Sequence, residues 1–376
     1  LVLPYIRSAR AGVERLGNLL ETYGTYEMNG IAFQDQDEIW WMETIGGHHW
    51  IAKKVPDDVY VVMPNQFGTD VFDMKDALTD QNAHMCSKDL AEFIEKNHLD
   101  LIIRRSTERK DEDADLPFGR FINPREIFGS HDDSDHVYNT PRAWFMERYL
   151  NPKTYRWDGE NADYTPVSDD IPWSLIPEYK VTMEDVKYVL SSHYQGTPYD
   201  PYLPYGDKKM AGAYRSIGVN RTDFMSAIQM RPYGAEDSRV IEWVAFASNA
   251  FNVMVPFYAN VDTTPEYLAN TTADVSTDNF YWNSRMIAAM ADASYSKSLF
   301  HIERYQETML AKGHEVINRY DEQIEKEPDV GKRSALREQA NQEMADILRK
   351  ETGNTLSKVL YELSNQMKNS YARSDA

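Results

Sequence analysis

The alternation of apolar and polar residues between positions 30 and 63 predicts a group of β-strands. The strand-like runs cover residues 30–33, 38–45, 48–55 and 59–63. In the second run, Ile39, Trp41 and Ile45 share one face, as the two-residue period of a strand requires. A glycine pair at 46–47 breaks this pattern, which is typical of a hairpin or a bulge. We therefore expect a β-meander, with the last of the four runs ending at the margin of its sheet.

Apolar residues at three- and four-residue spacing predict helices on both sides of this meander. Residues 4–23 have this spacing, and Gly24 is a suitable residue to end the helix. Thr182 and Asp185 form a variant of the capping box at the start of a helix over 182–192. Further helices are predicted at 87–97 with Ser87 as the cap, at 138–149, at 279–291, from 301 to a break at 325–333, at 334–350 and at 354–370; further strands are predicted at 214–230, 240–248 and 251–258. Segregated helices and strands indicate an α+β fold.

The region around residues 100–180 has many aspartates, prolines and aromatic residues, and it predicts an irregular insert over the core. Its charge alone would favour disorder. The aromatic side chains argue for packing instead, and they are Phe118, Phe121, Trp144, Phe145 and Trp157.

The charge and composition exclude several classes of partner. The 376 residues carry a formal net charge of −20 and are 42% hydrophobic, which allows a sizeable core. The negative charge argues against nucleic acid and anionic membranes as partners. No apolar run is long enough to predict a membrane span. A single cysteine excludes a framework of intrachain disulfides, so we expect a cytoplasmic protein, with secretion as the alternative.

Several long motifs occur in an order that resembles a known peptidase family. They are LVLPYIRSARAGVERLGNLLETYG at the start, NGIAF, EIWWMETIGGHHW and VPDDVYVVMPNQF in the meander, NRT at 220–222 and VPFYANV at 255–261. This set resembles the C69 (formerly U34) dipeptidases, which are cysteine-type N-terminal nucleophile (Ntn) hydrolases. The resemblance implies a four-layer αββα sandwich, here incomplete, over residues 1–300, with a helical C-terminal region at 301–376. It also implies hydrolysis of dipeptides.

The nucleophile that the resemblance implies is a cysteine at the mature amino terminus, and this chain departs from that pattern. Residue 1 is leucine, and the only cysteine, Cys86, lies in AHMCSKDL at a predicted helix start. We therefore expect that the segment with the nucleophile is missing from this sequence. By itself, the chain is then expected to be inactive.

Candidate catalytic residues follow from the needs of amide hydrolysis. A side-chain amide at the end of a strand can donate to the oxyanion of the tetrahedral intermediate, and Asn65 matches the strand-end asparagine of the family. An arginine can stabilise a thiolate, and Arg215 and Arg221 both fit this role. A solvated arginine at a strand edge is an equally good interpretation of each. Asn220 is a weaker candidate for a second amide donor.

Candidate substrate-binding residues are His48, His49, Asn220 and Tyr199. The two histidines are adjacent on a strand and must point to opposite faces, so they cannot form one metal site. The Tyr-rich loop at 193–206 is a candidate rim of the cleft. An acidic cluster at 131–136 offers oxygen ligands for a divalent ion, but solvation is the simpler interpretation. We expect no metal and no cofactor.

Three functions remain open at this point. The leading hypothesis is a dipeptidase that acts on small peptides, and the second is an amidase or acylase similar to penicillin V acylase. The third is a non-catalytic binding or scaffold protein whose acidic helical region serves as an interaction surface. A homo-oligomer is possible in each case.

Overall fold

The computed structural model describes residues 1–99, 119–130, 132–203, 205–368 and 370. Phe118 of the predicted insert and His131 of the acidic cluster lie outside these residues. The chain divides into two compact units, Leu1–Val181 and Thr182–Ala376. The predicted domains, 1–300 and 301–376, stay a prediction, because a compact unit need not be a domain.

The first unit is built around a four-stranded antiparallel sheet. Its helices are α1 (Ala9–Tyr23), α2 (Met74–Leu78), α3 (Leu90–Lys96), α4 (Pro124–Phe128), α5 (Asp135–Tyr138) and α6 (Thr140–Leu150). Its strands are β1 (Gly30–Gln34), β2 (Ile39–Gly46), β3 (His49–Val55), β4 (Tyr60–Val61), β5 (Phe72–Asp73), β6 (His84–Cys86), β7 (Phe121–Ile122) and β8 (Ser174–Leu175). The main sheet has the order β1-β2-β3-β6, so the predicted meander is confirmed for its first three strands.

Helix α1 covers one face of this sheet at very short range. The Ser8 hydroxyl caps the helix by accepting a hydrogen bond from Ala11 N. A Cβ atom on Gly12 would lie 2.3 Å from the Phe33 ring, and one on Gly17 would lie 2.2 Å from the Trp50 ring. Only glycine at these two positions therefore lets the aromatic side chains of the sheet reach the helix backbone.

Two predictions in the first unit are wrong in detail. The run at 59–63 does not extend the meander, because β4 pairs with β8 in a separate two-stranded sheet. Ser87 does not cap a helix, because α3 begins at Leu90 after the N-cap residue Asp89. Cys86 consequently ends strand β6 instead of standing at a helix start. In both places the tertiary pairing of a short strand overrides the local pattern.

The second unit contains a three-stranded antiparallel sheet in the order β11-β10-β9 and long helices. Its strands are β9 (Phe224–Met230), β10 (Val240–Phe246) and β11 (Val255–Tyr258), and its helices are α7 (Met183–Leu190), α8 (Glu266–Ala269), α9 (Phe280–Ala293), α10 (Tyr295–Lys326) and α11 (Val330–Ser364). The side chains of β10, β11, α9, α10 and α11 form one continuous apolar core. Short 3₁₀ segments are present in both units at Leu3–Tyr5 and Glu236–Ser238.

The capping box and the break between the last helices are confirmed in this unit. The Thr182 hydroxyl accepts from Asp185 N, and the Asp185 carboxylate accepts from Thr182 N. Helix α10 ends at Lys326 and α11 begins at Val330.

Two predictions in this unit are wrong. Residues 214–223 form no strand, and the helices predicted at 334–350 and 354–370 are one helix that ends at Ser364. The contacts that α11 makes with the core keep the helix continuous past Gly353.

The mixed helix and sheet content confirms the α+β class. None of the helices in the described part of the chain combines the length and the apolar character that crossing a membrane requires.

Candidate functional site

Asn65 is the central residue of a tight turn in the first unit. The backbone runs from β4 through Val62, whose N–H donates to Trp173 O at 3.1 Å, and then reaches Pro64. Gln66 N donates to Pro64 O at 2.6 Å, which closes a three-residue turn around Asn65. The Asn65 side chain is exposed and makes no hydrogen bond to any residue that the structure describes. Its amide is therefore available to a ligand.

A buried carboxylate holds the segment that follows this turn. The Glu43 side chain on β2 is 2% exposed. It accepts hydrogen bonds from Gly68 N at 2.6 Å, Thr69 N at 3.1 Å and Thr69 Oγ1 at 2.5 Å. Burial raises the pKa of Glu43, and these donors oppose the shift. The Arg125 guanidinium donates to Gly68 O at 2.7 Å, so the backbone on both sides of residue 68 is fixed.

A cavity of about 260 Å³ opens beside this turn. Its walls come from β1, β2, the Asn65 turn and the end of α4, and the lining residues are Met28, Asn29, Gly30, Glu43, Thr44, Met63, Asn65, Gln66, Phe67, Phe128, Gly129 and Ser130. We call it the Asn65 cavity. Four of the twelve lining residues are methionine or phenylalanine and six carry polar side chains, so the cavity combines apolar walls with polar groups, as small-molecule sites do.

The second unit has a larger cavity of about 530 Å³, which we call the Asn220 pocket. It is lined by His193, Pro201, Tyr202, Ser216, Gly218, Val219, Asn220, Ser248, Ala250, Phe251, Arg285, Ala288, Ala289 and Asp292. The loop with Asn220 lies against the end of α7, where a Cβ on Gly218 would be 2.3 Å from Ser191 O. Glycine at this position therefore shapes the wall of the pocket.

A strained turn forms another part of this wall. Ala247 and Ser248 have φ angles of 54° and 46°, in the left-handed region that residues other than glycine seldom adopt. Ala247 N donates to Asp223 O at 2.8 Å and Ser248 N to Thr222 O at 2.9 Å. The buried Lys187 ammonium donates to Asn249 O at 2.5 Å. Backbone strain of this kind is often found at functional sites.

Arg285 is a pocket residue that the sequence analysis missed. Its guanidinium donates to Asn220 O at 2.5 Å and approaches Ser248 Oγ at 3.5 Å. It is the single basic residue of helix α9, whose sequence is FYWNSRMIAAMADA. A lone arginine on such an apolar helix was a signal that could have identified it.

The two histidines do not line the Asn65 cavity. The Nδ1 atom of His48 lies 3.1 Å from Leu20 O and 3.0 Å from Glu21 O, at the C-terminal end of α1. The His49 ring stacks on Phe93 with 3.9 Å between ring centroids. These contacts give both histidines a structural role in the first unit, and their role in substrate binding stays a prediction.

The structure brings only Asn220 of the remaining candidates into the second pocket. Tyr199 packs on Tyr214 with ring centroids 4.7 Å apart. The carbonyl of Arg215 accepts from Tyr194 Oη at 2.9 Å, and Arg221 is exposed. Neither arginine lines the Asn220 pocket, so their roles stay predictions. Three residues of the loop at 193–206 line the Asn220 pocket, namely His193, Pro201 and Tyr202, and the role of this loop as the rim of the substrate cleft stays a prediction.

Cys86 has the properties of a structural residue. Its side chain is buried, and burial raises the pKa of the thiol to about 12. Such a thiol is almost fully protonated at neutral pH and is a poor nucleophile.

In the acidic cluster, Asp135 is buried and accepts hydrogen bonds from Ser130 and Asn139. Within the described ranges, no group of three or more acidic, histidine or cysteine side chains is arranged to hold a metal ion.

Comparison with known proteins places this sequence among peptidases. The family model described as peptidase family C69 matches residues 1–308. A protein named dipeptidase from Bifidobacterium longum is 52% identical over 412 aligned positions, which cover 100% of this chain and 75% of that protein. A probable dipeptidase A from Streptococcus pyogenes is 45% identical, with 100% of this chain and 73% of that protein covered. Dipeptidase A from Lactobacillus helveticus is 36% identical over 96% of this chain and 70% of its own length.

These matches extend over nearly the whole chain, and they include the meander, the Asn65 turn and the Asn220 loop. They confirm the family that the sequence motifs indicated and the assignment of the protein to the peptide-bond hydrolases. The chain therefore belongs to peptidase family C69.

Proposed function

We propose that this protein hydrolyses dipeptides and that Asn65 donates a hydrogen bond to the oxyanion of the reaction. The observation that carries the proposal is the free Asn65 amide, which lines a cavity and lies three residues before the Gly68 backbone that Glu43 and Arg125 hold. A donor aimed at developing negative charge is effective when its position does not have to change during the reaction. The names of the relatives, which are dipeptidases, support the choice of substrate.

The chemistry would follow the order expected for a cysteine-type peptidase. A thiolate attacks the carbonyl carbon of the peptide bond, and the carbonyl oxygen becomes an oxyanion that the Asn65 amide stabilises. Collapse of this intermediate expels the amine after protonation, and water then hydrolyses the thioester. The buried thiol of Cys86 does not suit the first step. The N-terminal cysteine that the family resemblance implies remains our proposal for the nucleophile.

Several further features belong to this proposal. The four-layer αββα arrangement of an Ntn hydrolase fits a unit with a helix-covered sheet, and it stays a prediction. Asn220 is retained as a second amide donor, because its side chain lines a pocket and has no hydrogen-bond partner among the described residues. Small peptides are the expected partners, while a homo-oligomer and a cytoplasmic location also stay predictions.

The test is a substrate comparison with the full-length protein. We expect the protein to release free amino acids from unblocked dipeptides such as Ala-Leu, and amino-acid analysis measures this release. The same preparation treated with a thiol-alkylating reagent should release none. Absence of hydrolysis across a panel of unblocked dipeptides would contradict the proposed function.

One observation favours the second candidate, an amidase or acylase. The wall of the Asn65 cavity includes Met28, Met63, Phe67 and Phe128, which suit an apolar acyl group. Including phenylacetyl and phenoxyacetyl amides in the same assay separates the two functions. Faster hydrolysis of these amides than of dipeptides would favour the acylase.

A further inference from the structure

Most of the polar side chains that line the Asn65 cavity are already hydrogen-bonded within the first unit. Four of the six have such a partner, and they are Asn29, Glu43, Thr44 and Ser130. The amides of Asn65 and its neighbour Gln66 form no hydrogen bond with any residue that the structure describes. A polar group that already has a partner gains little from a ligand. The polar contacts open to a ligand therefore come from one short segment of the cavity wall.

The apolar part of the wall is held in place by its own packing. Its side chains are Met28, Met63, Phe67 and Phe128. The rings of Phe67 and Phe128 pack with 5.9 Å between their centroids. Met63 lies directly on strand β1, where a Cβ atom on Gly30 would be 2.6 Å from Met63 Sδ. A cavity of about 260 Å³ is smaller than the sites of drug-sized ligands, which are about 300–1,000 Å³, so it suits a single side chain.

The cavity offers no partner to a charged side chain. Among the lining residues that the structure describes, only Glu43 ionises, and its carboxylate is buried and already accepts three hydrogen bonds. A ligand carboxylate here would lose its water and face a second acidic group without a cation. Burial of an unpaired charge is costly. The cavity therefore favours an uncharged, apolar group.

We propose that the Asn65 cavity holds the side chain of the first residue of the dipeptide and selects a large apolar one, an inference that rests on the proposed function. In that function the attacked carbonyl belongs to the first residue, and its oxygen accepts a hydrogen bond from Asn65. The side chain of this residue branches from the atom next to the carbonyl, so it enters the cavity that Asn65 lines.

The second residue of the dipeptide lies across the bond that is cleaved. Its Cα atom is about 3.8 Å from that of the first residue, on the side of the leaving amine. The cavity wall therefore discriminates at the first position and leaves the second free to vary. Met28, Met63, Phe67 and Phe128 are specificity-determining residues in this proposal, because each additional apolar group that they bury favours the bound substrate.

The test uses the full-length protein and two series of dipeptides. In the first series Gly, Ala, Leu, Phe or Glu precedes Ala, and in the second the same residues follow Ala. We expect kcat/KM for Leu-Ala and Phe-Ala to exceed the value for Gly-Ala by at least about tenfold, since one methylene group in an apolar pocket gives discrimination of that order. Glu-Ala should be hydrolysed more slowly than Leu-Ala, and the second series should show a smaller spread.

A charge at the mouth of the cavity should change this preference. Met28 is 60% exposed, so Met28→Lys leaves the core intact and places a cation beside the apolar wall. This variant should lower kcat/KM for Leu-Ala and raise it for Glu-Ala, which shifts their ratio about tenfold. The matched control is Ile176→Lys, because Ile176 is also 60% exposed in the same unit and does not line the cavity. It adds the same charge and should keep the wild-type ratio.

Two results would overturn the inference. One is a first series without a preference for apolar residues, or with a smaller spread than the second series. The other is a Leu-Ala to Glu-Ala ratio that Met28→Lys leaves at the wild-type value, whether or not both activities fall. Failure of the proposed function is distinguishable, because the wild-type protein would then hydrolyse no dipeptide of either series.

Discussion

The Glu43 carboxylate and Thr69 are joined by two hydrogen bonds, from Thr69 N at 3.1 Å and from Thr69 Oγ1 at 2.5 Å. Glu43 belongs to β2 and Thr69 to the segment after the Asn65 turn, so this contact joins the central sheet to the backbone that follows the proposed oxyanion donor. The third hydrogen bond, from Gly68 N, completes the attachment. The backbone three residues after Asn65 is therefore held by a buried side chain that lies 25 residues before Gly68.

Replacement of Glu43 by glutamine should weaken this attachment. The substitution turns one acceptor oxygen into an NH₂ donor, which then meets a backbone N–H, and a buried donor without an acceptor costs about 1–3 kcal/mol. We expect a lower free energy of unfolding by that amount and a reduced kcat, measured by urea unfolding and by dipeptide hydrolysis. Glu95→Gln, on the exposed side of α3, is the control and should change neither quantity. Wild-type stability in Glu43→Gln would argue against this role.

Replacement of Asn65 by alanine should remove the proposed oxyanion donor. Loss of one such donor typically lowers kcat 10²- to 10³-fold. The expected result is a fall in kcat of this size with little change in the melting temperature, because the Asn65 side chain makes no hydrogen bond to the described residues. Asn18→Ala removes an exposed amide from α1 and serves as the control. A kcat within threefold of wild type would rule out Asn65 as the donor.

Glu147 should make stability depend on pH. Its side chain is fully buried, and neither carboxyl oxygen has a hydrogen-bond partner among the described residues. Burial raises the pKa of Glu147 from 4.5 to about 9, although Arg125 opposes the shift. Its contribution to stability is therefore complete below pH 4.5 and is lost as the pH rises toward 9, on the order of 1.4 kcal/mol per pH unit.

Glu147→Gln removes the titrating group, so its free energy of unfolding should fall less between pH 5.5 and 8.5 than that of the wild type. Urea unfolding at both pH values measures this difference. Glu160→Gln is the control, since Glu160 is an exposed residue of the same unit. Parallel pH profiles of wild type and Glu147→Gln would contradict a protonated Glu147.

Two glycines in helices should respond in opposite directions to replacement by alanine. Gly17→Ala gains about 1 kcal/mol of helix propensity but forces a Cβ to 2.2 Å from the buried Trp50 ring. Overpacking of this kind costs about 1–3 kcal/mol, so we expect a net loss of stability. Gly353 in α11 is open to solvent with no heavy atom within 4 Å of an added Cβ. Gly353→Ala should raise the melting temperature, and a gain for both variants would show that α1 is not closely packed.

Local sequence determined the elements whose signals lie within a few residues of each other. The alternation in β1, β2 and β3, the capping box at Thr182 and the break between α10 and α11 were all predictable, because strand period, cap and helix-breaking residues act over short distances. The motifs likewise identified the peptidase family. Asn65 lines a cavity, and its role as the oxyanion donor stays a prediction.

Tertiary structure alone decided the features that depend on residues far apart in the chain. Strand β4 pairs with β8 through Tyr60 and Leu175, a partner that no local pattern could indicate. The same applies to the Glu43 contact with Thr69 and to the meeting of Arg285 with Asn220 in one pocket. Hydrogen bonds between distant segments form only when the chain closes those loops, and hydrophobic burial across the whole unit provides the free energy for that closure.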